Sequence, residues 1–513
     1  MAVDGGVVAW LGTDDVGRNQ FPSARIVDLE GAFVAPAFVD SHVHTTSTGL
    51  LLSGLDLTSA TSLRHCLDQV ADYAAAHPGQ IIWGHGWDDT RWPDGRTPTT
   101  HDLDEIVGTR PAYLARIDVH SAVASSALRN LVPGISAIAG FDPQLPLSAE
   151  AHHLVRAEAR RMLTWHQLND ARVAALDRAA ALGIVAVHEC AGPDIGGADD
   201  WHALRELDHG VDVVGYWGEA VSTVAQARAL IDATGARGLA GDLFVDGALG
   251  SRTAWLCEPY ADVAGGWHGN RYLDSEAVTA HLMSCTEAGI TAGFHVIGDA
   301  AAGSVVRALE RVVDRFGGPA VARCGHRLEH LEMVSDDQAA KLGSWGVIAS
   351  MQPNFDALWG GEDGMYARRL GAGRAARLNP FAQLASAGVP LAFGSDTPVT
   401  DMNPWTAVRA ATLHRTAGSS ISMRASFAAA TRGAWRAGGV HDGLTGTLVP
   451  GAMASFSIWD VKDLDVSAPR DAVARWSTDP RSRVPELPAL APADSLPVCL
   501  RTVHRGEVLY DRF

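Results

Sequence analysis

Short, near-continuous apolar runs recur along the chain from residue 38 to residue 396, separated by alanine-rich stretches with helical spacing. The runs lie at residues 38–43, 80–84, 112–116, 184–188, 211–216, 242–246, 290–295, 323–330, 346–351 and 390–396. Apolar on both faces, they read as strands of a parallel sheet covered by helices, such as the one expected from residue 148 to about residue 182. Alternation over residues 38–436 predicts a closed (β/α)8 TIM barrel. Within it, residues 80–150 are rich in Trp, Pro, Asp and Thr, as in Gly84-His85-Gly86-Trp87-Asp88-Asp89-Thr90-Arg91-Trp92-Pro93. They read as an insertion capping the barrel mouth, whose aromatic residues either line a pocket or fill a core of their own. The ends differ. Residues 1–37 carry strand patterns at 7–11 and 24–29, and residues 437–513 carry them at 446–451, 454–460 and 501–510. Pairing of the two ends predicts a small β-sandwich domain built from both termini.

Composition narrows the class. With 513 residues, 47% hydrophobic and 19% charged, the chain suits a large folded enzyme rather than a disordered one. A net charge of −18 argues against nucleic acid or an anionic membrane as partner and leaves a small-molecule substrate, with homo-oligomerisation open. The six cysteines form no CxxC pair, which fits free thiols in a reducing compartment. Neither a basic leader with an apolar core nor a membrane-length apolar run is visible, so a cytoplasmic location is expected.

The chemistry sits where apolar runs end. Residues 35–44 finish in His42-Val43-His44, and a strand would point both imidazoles the same way. With 21 histidines in 513 residues, about one such pair arises by chance. The pair gains meaning from His295, His330 and Asp396, each closing a later run. Strand ends on one side of a barrel face a common site. Four imidazoles and a carboxylate there suit a divalent metal, Zn2+ first, with Fe2+, Mn2+ and Co2+ as other candidates.

Phe38-Val39-Asp40-Ser41-His42-Val43-His44, the later lone histidines and Gly394-Ser395-Asp396 resemble the metal-dependent amidohydrolase superfamily. Trp87-Asp88-Asp89, Arg116-Ile117-Asp118-Val119-His120, Asp246-Gly247-Ala248-Leu249-Gly250-Ser251-Arg252-Thr253 and His295-Val296-Ile297-Gly298-Asp299 are similar to its branch containing the N-substituted formamide deformylases. The resemblance covers nearly the whole chain. It implies the barrel, the sandwich from both termini, and hydrolysis of a non-peptide C–N bond in a small molecule. It also implies a lysine, carboxylated and bridging two metals, where this chain has Asp242. The only lysines are Lys341 and Lys462. An aspartate is several atoms shorter than a lysine carbamate, so Asp242 is expected to fall short of two metals and the site to hold one ion. The alternatives are a structural hydrogen-bonding role for Asp242, and Glu189 as a substitute bridge.

His42, His44, His295, His330 and Asp396 are therefore the expected metal residues. Asp396 is the expected proton carrier, since a carboxylate can act first as base and then as acid. His330 either completes the coordination or hydrogen-bonds the developing oxyanion. His120 is expected to hold the substrate carbonyl, or else to be structural. Trp87, with Trp83, Trp92 and Trp255, suggests a partly apolar substrate. Arg252 could meet a substrate carboxylate or pair within its own loop. A deaminase of a small aminated compound and a non-catalytic metal-binding barrel are the competing readings.

Overall fold

The computed structural model describes residues 1–416, 418–465 and 485–513. Residues 466–484, within the C-terminal part of the expected sandwich, lie outside it. Eight parallel strands make the central sheet: β1 (Phe38–Val43), β2 (Ile184–Ala191), β3 (Asp212–Trp217), β4 (Gly238–Leu239), β5 (Thr291–Val296), β6 (Arg327–His330), β7 (Ile348–Met351) and β8 (Leu391–Phe393). They pair in chain order. The ring closes between the first and last strands: Asp396 N–H donates to His42 O (2.8 Å) and His44 N–H to Thr397 O (2.9 Å). The TIM barrel expected from the alternation is present. β2 and β5 are buried along their whole length, as strands covered on both faces must be.

Three expected strands are absent, each for a local reason. At 24–29, Ile26 and Val27 stay exposed, so the apolar alternation has no partner to pack against. At 446–451, Gly446 and Gly451 both take positive φ and turn the chain. At 242–246 only the isolated bridge from Phe244 to His295 forms. The ladder has already ended at Leu239.

Between β1 and β2 lies a separate five-stranded sheet of Leu55–Asp56, Ile82–Trp87, Ala112–Arg116, Ser121–Ala124 and Leu147–Ser148, paired in that order. Helix Thr45–Ser53 leads into it and packs against helix Trp165–Ala181. The backbones approach so closely that a Cβ on Gly49 would lie 1.7 Å from Ala171 O. A four-stranded antiparallel sheet joins Phe33–Pro36 to Phe456–Asp460, Val498–His504 and Glu507–Asp511, so both termini build it.

That terminal sheet shares its core with the barrel, at the end of β1 opposite the histidines. Phe38 packs edge-on against Trp405 (ring centroids 5.0 Å apart) and Trp459 (5.9 Å), and Gly183, just before β2, leaves room for the Trp459 ring. Trp459→Ala should cost about 3–5 kcal/mol of stability. A clearly lower thermal midpoint by scanning fluorimetry is the expected result. A midpoint within about 1 °C of the parent would mean that the sheet packs independently of the barrel.

Candidate metal centre

All five candidate ligands gather at the C-terminal mouth of the barrel. His42 lies within β1, and His44 immediately precedes helix Thr45–Ser53. His295 lies in β5, His330 ends β6, and Asp396 follows β8. His330 (φ +69°) and Asp396 (φ +55°) occupy the left-handed region, which costs a non-glycine residue on the order of 1 kcal/mol or more. For Asp396 the bond from its N–H to His42 O holds that geometry. Asp40 clamps the same seam. Its Oδ1 accepts from Ser395 N (2.8 Å) and His42 N (3.2 Å), and its Oδ2 from Ser395 Oγ (2.6 Å). Burial lifts its pKa to about 6 against those bonds. There is no room for a side chain at residue 394, where a Cβ would lie 2.5 Å from His42 N.

Asp242 occupies the middle of the cluster. Its Oδ1 lies 3.4 Å from His295 Nδ1, 3.5 Å from His42 Nε2 and 3.8 Å from His330 Nε2, and its Oδ2 lies 3.1 Å from His44 Nε2. Asp242 thus stands within 3.8 Å of an imidazole nitrogen of each of the four histidines. Asp396 Oδ1 lies 3.4 Å from His42 Nε2 and 3.3 Å from His44 Nε2. Glu189, weighed as a substitute bridge, instead accepts from Thr45 N (2.7 Å) at the start of the helix.

The cluster fits a cation by two observations. Buried His42 Nε2, His330 Nε2 and Asp396 Oδ1 have no hydrogen-bond partner, although buried polar atoms rarely lack one. The electrostatics are equally one-sided. Burial disfavours the His44 imidazolium, yet the facing carboxylates of Asp242 and Asp396 outweigh it and raise its pKa to about 9. Burial likewise works against the Asp242 carboxylate, and His42, His295 and His330 overcome it to hold the pKa well below the usual range. Nitrogen and oxygen donors in this number suit a borderline divalent ion.

A buried chain of charges aims the ligands. His42 Nδ1–H donates to Glu329 Oε2 (2.9 Å), which leaves Nε2 to face the centre. Arg327 in turn donates to both oxygens of Glu329 (2.5 and 2.8 Å) and to Ser41 O (2.6 Å). Burial opposes the Glu329 charge, and the Arg327 guanidinium more than compensates. On the other side, His330 Nδ1–H donates to Gln352 Oε1 (2.7 Å). Sequence reading missed Glu329 and Gln352. The available signal was strand alternation, which turns Arg327 and Glu329 to one face of β6.

Beside the centre lies a small pocket, bordered by His295, His330 and Asp396 and walled by His120, Phe355, Trp359 and Tyr366. Its aromatic wall comes from the segment after β7, not from the insertion's tryptophans. Trp87, expected to contact substrate, is fully buried in the insertion's own core and donates its Nε1–H to Leu114 O. Arg252 also lies elsewhere, pairing with Asp262 (2.8 Å). The insertion does supply His120 and Asp118 to the pocket, with Asp118 held by Arg116 (2.8 Å) and Ser251 (2.8 Å). Glu332 lines it too, its carboxyl raised to about 7 by burial.

A barrel with this centre defines a metal-dependent hydrolase. The model of the amidohydrolase family matches residues 25–510, and the chain belongs to that family. It is similar to the protein LONG AFTER FAR-RED 3 of Arabidopsis thaliana, at 28% identity over 486 residues, covering 86% of this chain and 81% of that one. The N-substituted formamide deformylase of Arthrobacter pascens is 24% identical over 457 residues, with 80% of each chain covered. Among solved structures, an uncharacterised metal-dependent hydrolase from Pyrococcus furiosus superposes with a TM-score of 0.67 at 27% identity, covering 89% of this chain and 93% of that one.

Glu329→Gln keeps the shape and removes the charge that orients His42. Outer partners of this kind are worth about 10–100-fold in metal affinity. Competition against a chromophoric chelator should show a loss of that size, and unchanged affinity would mean that His42 needs no such partner.

Proposed function

We propose that the chain hydrolyses a carbon–nitrogen bond, of amide or N-formyl type, in a small molecule, using a centre that holds zinc. The observation that carries this reading is the Asp396 carboxylate, set between His42 and His44 with one oxygen free of hydrogen bonds, at the edge of the pocket. The similarity to the formamide deformylase supports the bond type. His42, His44, His295, His330 and Asp396 hold the metal. Bound there, a divalent ion supplies Lewis acidity that makes water a nucleophile near neutral pH.

The chain's own residues do the rest. Asp396 takes a proton from the attacking water and returns it to the leaving nitrogen, the two-way role that suits a carboxylate. His330, fixed by Gln352, completes the metal set or steadies the developing oxyanion. His120 is kept neutral by burial and by its neighbour His295, so it holds the substrate carbonyl as a hydrogen-bond donor. Phe355, Trp359 and Tyr366 give the substrate an apolar wall.

Asp396→Asn should keep the bound metal and lower kcat by about 10²–10⁴-fold on N-formyl or N-acyl amines. Near-normal turnover would remove Asp396 from proton transfer. Release of ammonia without a carboxylic acid would point to a deaminase. A fully loaded protein that cleaves none of these bonds would point to a binding barrel.

A further inference from the structure

We infer that Glu332 sets substrate choice: the pocket takes a small amide or formamide with an apolar body whose other end carries an O–H or N–H, and the Glu332 carboxyl accepts that hydrogen bond. The inference rests on the hydrolytic reading above and names the class of compound that the same site selects.

Besides Asp396, two carboxyl side chains line the pocket, and they are held differently. Asp118 is already engaged by Arg116 (2.8 Å) and Ser251 (2.8 Å). Glu332 is 2% exposed, and its Oε2 has no hydrogen-bond partner among the described residues. Beside it, the Tyr366 hydroxyl and both polar atoms of the Asn379 side chain lack partners as well. Leaving buried polar atoms unpaired is costly, and native proteins seldom do so. Four such atoms together at the edge of a cavity mark a site that something from outside the chain completes.

The backbone places the Glu332 side chain at the pocket. His330 (φ +69°) and Leu331 (φ +45°) are both left-handed, so the chain turns sharply after β6. Leu331 N–H donates to Val296 O (2.8 Å) and Met333 N–H to Ile297 O (3.2 Å), which ties the residues on either side of Glu332 to the end of β5. Asn379 N–H donates to Glu332 O (3.0 Å) and adds a third anchor.

From the centre to this polar end runs a row of aromatic rings. The His330 imidazole stacks on Phe355 (centroids 5.9 Å apart), Phe355 packs against Trp359 (5.0 Å), and Trp359 meets Tyr366 edge-on (6.3 Å). A substrate held by its scissile bond at the centre lays its body along these rings and brings its other end to Glu332 and the Tyr366 hydroxyl. A methyl group arriving there leaves the buried atoms unpaired, whereas an O–H or N–H donates to Glu332. Sites built to hydrogen-bond a substrate hydroxyl reject the analogue that lacks it more strongly than apolar pockets separate homologues.

The test uses the metal-loaded full-length chain and matched linear N-formyl amines of graded chain length, one of each pair ending in a hydroxyl and the other in a methyl. At one or more lengths kcat/KM should favour the hydroxyl compound by about 10–100-fold. Glu332→Leu should bring that ratio to one or below, and Glu332→Gln, which keeps an acceptor oxygen, should restore part of it. A glutamate with a purely structural role would slow both members of a pair alike, and an unchanged ratio in the leucine variant would overturn the inference. Equal values for hydroxyl and methyl at every length in the native chain would also overturn it, and would mean that water alone occupies the polar end. If the leucine variant does not fold, the native pairs decide alone, since an apolar pocket end would favour the methyl compound. If the native chain cleaves none of the series, the proposed function fails, and the affinities of the same pairs, measured by calorimetry, decide the inference by the same ratio.

Discussion

The seam between the first and last barrel strands is the constraint on which the centre depends. His42 contributes its carbonyl to the hydrogen bond that closes the ring, and its imidazole to the cluster inside it. Asp396 supplies the matching N–H and the matching carboxylate. Closing the barrel and bringing Asp396 beside His42 and His44 are therefore one event. Asp40 makes that event specific, since its carboxylate binds both sides of the seam. A one-residue slip in register would turn His42 away from Asp396. The left-handed backbone at Asp396 is tolerable because the seam fixes it from both sides.

Behind the ligands, the barrel interior is polar where a hydrophobic filling would be ordinary. Arg327 lies wholly buried, donating to Glu329, Ser41 O and Ser350 Oγ, with its guanidinium 4.2 Å from the Tyr216 ring centre. Burying such a pair is costly unless every donor is met, and removing one partner would strand the other. The return on that arrangement is orientation: the charge passes from Arg327 through Glu329 to His42 and presents one ring nitrogen to the centre.

Much of this was legible in the sequence because barrel strands leave a simple signature. Each is a continuous apolar run, and His42, His44, His295, His330 and Asp396 stand at or near the ends of theirs, so period and position alone bring them together. Three features escaped for physical reasons. The run at 242–246 has strand composition, but a turn centred on Asp242, closed by Leu243 N–H donating to Gly241 O, takes precedence over propensity. Trp87 and Arg252 look like contact residues by type. Their partners, Leu114 O and Asp262, are distant or weakly patterned in sequence, so only the fold reveals that they are already engaged. The pocket's aromatic wall, Phe355, Trp359 and Tyr366, lies in short helices after β7 whose placement no periodicity encodes.

The central claim is convergence of these separated segments on bound metal. Anomalous diffraction from crystals of the zinc-loaded chain, collected on both sides of the zinc absorption edge, tests it most directly. The account predicts anomalous density at the barrel mouth, in contact with His42, His44 and Asp396 and reaching Asp242. Fully loaded crystals with no anomalous density among these residues, or with zinc bound only elsewhere, would contradict it.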